Sequence, residues 1–155
     1  MKEFIFDSTA SQRLTESGWT KFRHVDCSPI EKLYRDHGMI IPDVLREFFE
    51  SFAFLVVEYD NGDSTESHCF DPSYVFKNYS KHGLEHLFEN YNITGLVNPV
   101  GGVFNGEMTL YMHEGGDFYV FMEGGPLIRI GNTIETMINS LIGDEWDKNA
   151  VYVHR

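Results

Sequence analysis

Cysteine is scarce in this 155-residue chain, which contains only Cys27 and Cys69. Two thiols are too few for the disulfide framework of a small secreted domain, so we expect both to be reduced, as in the cytoplasm. No run of 18 apolar residues occurs, and we therefore expect no membrane-spanning helix. Residues 1–7 lack the long apolar stretch of a signal peptide, and we expect none.

Basic residues are also few, because 12 Lys and Arg stand against 24 Asp and Glu and give a net charge of −12. Such a charge repels phosphate groups, so binding of nucleic acid is not expected. The excess is uneven, since residues 47–128 contain 13 acids and only two bases, Lys77 and Lys81. This middle segment either keeps the protein soluble or produces an electrostatic field that attracts a basic partner.

Metal-ligand patterns are missing. His82 and His86 have a helical spacing of four, but Gly83 lies between them and the sequence offers no obvious third ligand. Neither a His-Glu-x-x-His nor a Cys-x-x-Cys motif occurs. We therefore expect no metal site, and histidines that lie on the surface or half-buried.

Signatures of catalysis and of phosphate binding are missing as well. The chain has no Gly-x-Ser-x-Gly elbow, and isolated cysteines such as Cys27 and Cys69 are usually buried thiols. The glycine pairs at 101–102, 115–116 and 124–125 open no helix with Lys-Ser or Lys-Thr, so they predict turns and bulges. We expect no catalytic residue and no cofactor.

The chain does have the composition of a folded domain. Its apolar fraction is 42%, and thirteen Phe, eight Tyr and two Trp argue against disorder. The length fits a single domain, which we place at residues 1–155. Trp19 is expected to support a helical layer, whereas Trp146 and Tyr152 are expected to be accessible.

Hydrophobic periodicity predicts helices towards both ends of the chain and strands between them. The predicted helices cover 9–17, Ser28 to a stop at Gly38, Pro42 to Phe52, Asp71 to about Asn90 with a weak point at Gly83, and Asn132 or Thr133 to Gly143. The predicted strands cover 55–59, 64–70, 97–104, 107–113, 118–122 and 127–130. Because Asn61-Gly62 and Asn105-Gly106 favour tight hairpin turns, we predict a single α+β domain. Its antiparallel sheet is built of hairpins, and the helices at both ends pack on one face.

Hairpin turns place acidic side chains at exposed tips. If the acidic segment attracts a basic partner, these tips are the predicted partner-binding residues. The candidates are Asp60, Asp63, Glu66, Glu114, Asp117 and Glu123.

A series of motifs resembles the third subfamily of the SUKH superfamily of bacterial immunity proteins. In chain order these are Gly18-Trp19 with Arg23 and Asp26, Pro42 before Phe48-Phe49-Glu50-Ser51-Phe52, His68-Cys69-Phe70-Asp71-Pro72, Pro99-Val100-Gly101, Gly116-Asp117-Phe118-Tyr119, Ile130-Gly131-Asn132-Thr133-Ile134-Glu135 and Leu141-Ile142-Gly143. The resemblance covers a core of about residues 9–143. The turn Phe104-Asn105-Gly106-Glu107 and the tail, residues 144–155, depart from the pattern.

The resemblance implies an α+β fold related to a yeast cell-wall regulator, and a role in neutralising a toxin of a polymorphic toxin system. Family toxins include nucleases and nucleic-acid deaminases, which need basic surfaces to hold phosphates. The acidity of this chain is complementary to such a partner, and the family implies no catalytic motif. Two alternatives stay open: a regulatory interaction module with a non-toxin partner, and a hydrolase whose residues meet only in space.

Overall fold

One antiparallel sheet, with seven strands in the part of the chain that the structure describes, organises the protein. The computed structural model describes residues 3–155, so Met1 and Lys2 of the N-terminal stretch considered for a signal peptide lie outside it. The strands are β1 (Val56–Asp60), β2 (Thr65–Cys69), β3 (Val97–Val103), β4 (Met108–His113), β5 (Phe118–Phe121), β6 (Leu127–Gly131) and β7 (Val151–Val153). They lie side by side in chain order. The α+β class and the antiparallel sheet are therefore confirmed.

Seven helices accompany the sheet within the described residues. They are α1 (Ser8–Glu16), α2 (Ser28–Asp36), α3 (Asp43–Phe52), α4 (Ser73–Asn78), α5 (Lys81–Glu89), α6 (Ile134–Leu141) and α7 (Trp146–Asn149). Within residues 3–155, no helix has the length and apolarity that crossing a membrane would need.

The helices near the two ends of the chain, here called the terminal helices, pack on one face of the sheet, as predicted. Helix α3 turns Phe48 and Phe52 inward at helical spacing, and Met137 of α6 joins them in the same buried cluster. Leu110 and Val120 of the sheet point into this cluster. Side chains alternate along a strand, so their neighbours must point to the opposite face.

Helix α5 covers the opposite face of the sheet, a placement that was not predicted. Tyr111 and Tyr119 point away from the terminal helices and pack edge-on against Phe88 of α5, with ring centroids 5.5 and 5.4 Å away. The predicted helix from Asp71 to Asn90 is in fact two helices. The break falls before Ser80 rather than at Gly83, because the Ser80 hydroxyl caps α5 by accepting from the Gly83 amide at 3.0 Å.

The antiparallel order sorts the turns to two ends of the sheet. Three turns, at residues 61–64, 104–107 and 122–126, share one end, here named the hairpin end. The β4–β5 turn at 114–117 lies at the opposite end. The six residues of β4 separate the two ends by about 20 Å at the usual rise of a strand.

The tail adds structure that was not predicted. Helix α7 and strand β7 follow α6, and β7 pairs with β6 through Leu127–Val153, Ile128–Tyr152 and Arg129–Val151. Trp146 is half-buried against the main core, while Tyr152 keeps 55% of its surface exposed. The tail therefore forms one edge of the sheet.

Candidate partner-binding site

The structure divides the six predicted acids between the two ends of the sheet. Asp60, Asp63 and Glu66 lie in the β1–β2 hairpin, and Glu123 lies in the β5–β6 turn, so these four share the hairpin end. Glu114 and Asp117 occupy the β4–β5 turn at the opposite end. The six acids therefore do not form one continuous patch.

Several of these acids already have partners within the chain. The Asp60 carboxylate accepts from the Gly62 amide at 2.8 Å. Asp117 pairs with Arg129 at 3.0 Å, and the two side chains are each 35% exposed. An exposed pair of this kind contributes at most about 1 kcal/mol to stability. The pairing nevertheless reduces the charge that Asp117 can offer to a partner.

Glu66 differs from the other candidate acids. Its Oε1 accepts from the Asn61 side-chain amide at 3.0 Å. Its Oε2 is buried and has no hydrogen-bond partner within the described residues. A buried oxygen left without a donor is unfavourable by about 1–3 kcal/mol, more if it is charged. Glu66 therefore keeps one buried oxygen unpaired in β2, next to the β1–β2 turn.

Beside Glu66 lies a groove of about 520 Å³ that no sequence motif indicated. Its polar walls include Glu66 and Glu107, and its apolar walls include Phe104, Met122, Trp146 and Tyr152. These residues come from β2, two turns, α7 and β7, and we name the cavity the hairpin-end groove. Its lining contains no Lys, Arg or His among the residues that the structure describes.

An unusual turn positions one wall of this groove. Phe104 has φ of 51°, in the left-handed region that a bulky residue rarely occupies. The Phe104 amide donates to Nδ1 of the fully buried His68 at 3.1 Å, and the Asn105 amide donates to the Ser67 carbonyl at 2.8 Å. The Phe104 ring then meets Trp146 edge-on at 5.5 Å. These contacts connect the groove to the core.

His68 is the exception to the expectation of exposed or half-buried histidines. Burial, with a smaller effect of the Arg13 charge, lowers its pKa from 6.5 to about 4. Because Nδ1 accepts from Phe104, the ring proton resides on Nε2, which is 2.9 Å from the Tyr59 hydroxyl. That hydroxyl donates to the Leu141 carbonyl at 3.2 Å. His68 is therefore a neutral structural link.

The cysteines lack the properties of nucleophiles. Cys27 is buried, and desolvation with nearby carboxylates raises its pKa to about 11. Cys69 is half-buried, and burial followed by the Asp71 charge raises its pKa. A thiol must ionise to attack or to bind a metal, so both are inert near neutral pH.

The histidines of α5 lie on its surface. His82 and His86 are within 4 Å of Glu85 and Glu89, at 3.9 and 3.8 Å respectively. Over residues 3–155, no group of three or more His, Cys, Asp or Glu side chains is placed to hold a metal ion.

The fold defines a class of protein: a single α+β domain with acidic turns at both ends of an antiparallel sheet. The sequence model of the SUKH-3 immunity protein family matches residues 6–144. The chain therefore belongs to the SUKH-3 immunity protein family, and the resemblance seen in its motifs is confirmed. The matched segment ends before α7 and β7. No curated protein and no solved structure matches the chain significantly.

Proposed function

We propose that this protein binds and neutralises one cognate toxin of a bacterial polymorphic toxin system, in the cytoplasm, through protein–protein contact alone. The observation that carries the proposal is membership of an immunity family over residues 6–144. Immunity of this kind requires a stable complex and no chemistry by the immunity protein. The raised pKa values of Cys27 and Cys69, and the structural bonds of His68, favour this role over a hydrolase.

The negative charge of the chain supports the proposal that the toxin is basic. A net charge of −12 attracts a protein whose own surface must hold phosphates, as a nuclease or a nucleic-acid deaminase does. Asp60, Asp63, Glu66 and Glu123 share the hairpin end, with few bases nearby in sequence, and β3 and β4 lie between Glu123 and the other three. We propose that these acids face lysines and arginines of the toxin, whereas Glu114 and Asp117 belong to the opposite end.

The test starts from the genes that neighbour this one, and takes their products as the candidate toxins. The toxin is expressed in a susceptible host with and without the immunity protein, and growth is measured. The two purified proteins are then mixed to determine affinity and stoichiometry. Rescue of growth together with a stable complex supports the proposal. Rescue without any complex, or a complex without rescue, would instead favour a regulatory module with another partner.

A further inference from the structure

The hairpin-end groove combines exposed apolar side chains with acidic side chains. Tyr152 is 55% exposed and Met122 is 39% exposed, and the half-buried Trp146 lies beside them. Glu66 and Glu107 provide carboxylates at the same groove. Exposed apolar side chains rimmed by charge are typical of an interaction site.

The chemistry of the groove selects among possible occupants. An apolar segment alone would cover Met122 and Tyr152 but would bring no positive charge to the carboxylates of Glu66 and Glu107. A phosphate or an acidic segment would be repelled, because the lining carries no cation within the described residues. A cation that also packs against aromatic rings matches both walls.

Arginine satisfies these requirements better than lysine. Its planar guanidinium stacks on the rings of Trp and Tyr and donates in a fork to carboxylates. Lysine offers a compact, strongly hydrated point charge that is less suited to a half-buried site. Glu66 and Glu107 can accept from such a fork while Trp146 or Tyr152 packs against its plane.

The positions of the groove residues in the chain suggest how one toxin is distinguished from another. Trp146 and Tyr152 lie beyond residue 144, where the match to the shared family pattern ends. Glu107 lies inside the matched segment, in the turn at 104–107, and provides a carboxylate in the same groove. An immunity protein must discriminate its own toxin from those of related systems, and discrimination requires features that the relatives do not all share.

We propose that the hairpin-end groove receives an arginine-bearing segment of the cognate toxin, and that the tail of this chain thereby determines which toxin is bound. The identity of the partner rests on the proposed function. The groove does not depend on the proposed function, and neither do its carboxylates and aromatic walls.

The experiment measures binding of the purified neighbouring toxin to four variants and to the wild type. Tyr152→Ala and Glu107→Gln alter the groove. Tyr74→Ala removes an aromatic side chain that is 70% exposed outside the groove, and Glu114→Gln neutralises an acid at the opposite end. Thermal unfolding checks that each variant is folded. We expect both groove variants to weaken binding by about tenfold or more, as buried contacts at an interface do, and the two controls to stay within about twofold.

A photo-crosslinker at position 152 identifies the occupant. In the mixture with the toxin, we expect a link to one toxin peptide that contains arginine, and replacement of that arginine by alanine should weaken binding as much as Glu107→Gln does. A link to a second copy of this chain, or to a toxin segment without arginine, would overturn the inference.

The outcomes separate this inference from the proposed function. If the wild type neutralises the toxin and the groove variants bind as tightly as the controls, the groove is not the docking site but the immunity role stands. If groove variants and controls weaken equally, docking is not localised in the groove and the inference is again wrong. If the wild type binds no neighbouring toxin, the proposed function fails and the assigned occupant fails with it.

Discussion

Nδ1 of His68 lies 3.1 Å from the backbone nitrogen of Phe104 and accepts its hydrogen bond. This single contact joins a fully buried imidazole to a turn in left-handed conformation. It explains how Phe104 keeps a φ of 51°, since strained backbone persists only where surrounding contacts fix it. The wall of the hairpin-end groove therefore depends on a histidine that stays neutral.

The stability of the protein should depend on pH through His68. Its pKa is about 4 in the folded protein and 6.5 in the unfolded chain, so below pH 6.5 the unfolded chain binds the extra proton. The free energy of unfolding should therefore fall as pH drops from 6.5 towards 4, by up to about 3 kcal/mol from this group. Denaturant unfolding of the wild type at several pH values measures the slope.

His68→Gln serves as the comparison, because a glutamine oxygen can still accept from the Phe104 amide and does not titrate. We expect it to be less stable at pH 7 but to show a shallower loss between pH 6.5 and 4. Equal slopes for the two proteins would mean that His68 does not contribute to the pH dependence.

Trp19 should act on stability rather than on partner binding. Its ring stacks on Phe52 at 5.2 Å with an interplanar angle of 3°, and Nε1 donates to the Ser51 hydroxyl at 3.1 Å. Trp19→Ala should lower the free energy of unfolding by about 3 kcal/mol, as other large truncations beside a core do. Trp19→Phe keeps a stacked ring and should lose less. An unchanged denaturant midpoint in Trp19→Ala, with weak toxin binding, would place Trp19 in the interface instead.

Gly131 should tolerate no side chain. A Cβ there would lie 2.6 Å from the Thr136 Oγ1 and 2.9 Å from the Met137 nitrogen, in the first turn of α6. Gly131→Ala should therefore destabilise the protein by about 1–3 kcal/mol through overpacking. Gly102→Ala is the matched control, because a Cβ at that position of β3 meets nothing within 4 Å. Thermal and denaturant unfolding of both variants and the wild type measure the loss of stability. An equal loss in Gly131→Ala and Gly102→Ala would contradict this account.

Much of the fold was predictable from local patterns. The apolar spacing in residues 42–52 indicated α3, and the Asn-Gly pairs indicated two of the hairpins. Helix α7 and strand β7 contain only four and three residues, which is too short for a periodic signal. The single helix predicted from Asp71 to about Asn90 is instead divided before Ser80, because the serine caps α5 and the helix continues through Gly83, where the sequence indicated a weak point.

The site was less predictable than the fold. Consecutive turns of an antiparallel meander alternate between its two ends, so the separation of Glu114 and Asp117 from the other four acids followed from the predicted strand order. The hairpin-end groove had no such signal. Its walls come from residues as distant as Glu66 and Tyr152, and only the paired strands bring them together.

The acids of the hairpin end should act first on the rate of toxin association. Charge steering raises on-rates towards about 10⁸–10⁹ M⁻¹s⁻¹ at low salt and fades as salt rises. At physiological salt the Debye length is about 8 Å, whereas the two ends of the sheet are about 20 Å apart. Charge reversal at Asp60, Asp63 or Glu123 should therefore slow association with the neighbouring toxin, and should flatten its dependence on salt.

Glu114→Lys provides the matched control, because it reverses an exposed acid at the opposite end. Its on-rate should be close to that of the wild type at physiological salt, and should approach those of the hairpin-end variants only at low salt, where screening extends to about 30 Å. Stopped-flow or surface-based kinetics across a salt series distinguishes the two ends. If the on-rate does not change with salt and all charge-reversal variants bind normally, the acids serve only to keep the protein soluble. A larger effect of Glu114→Lys than of the hairpin-end reversals would move the recognition surface to the β4–β5 turn.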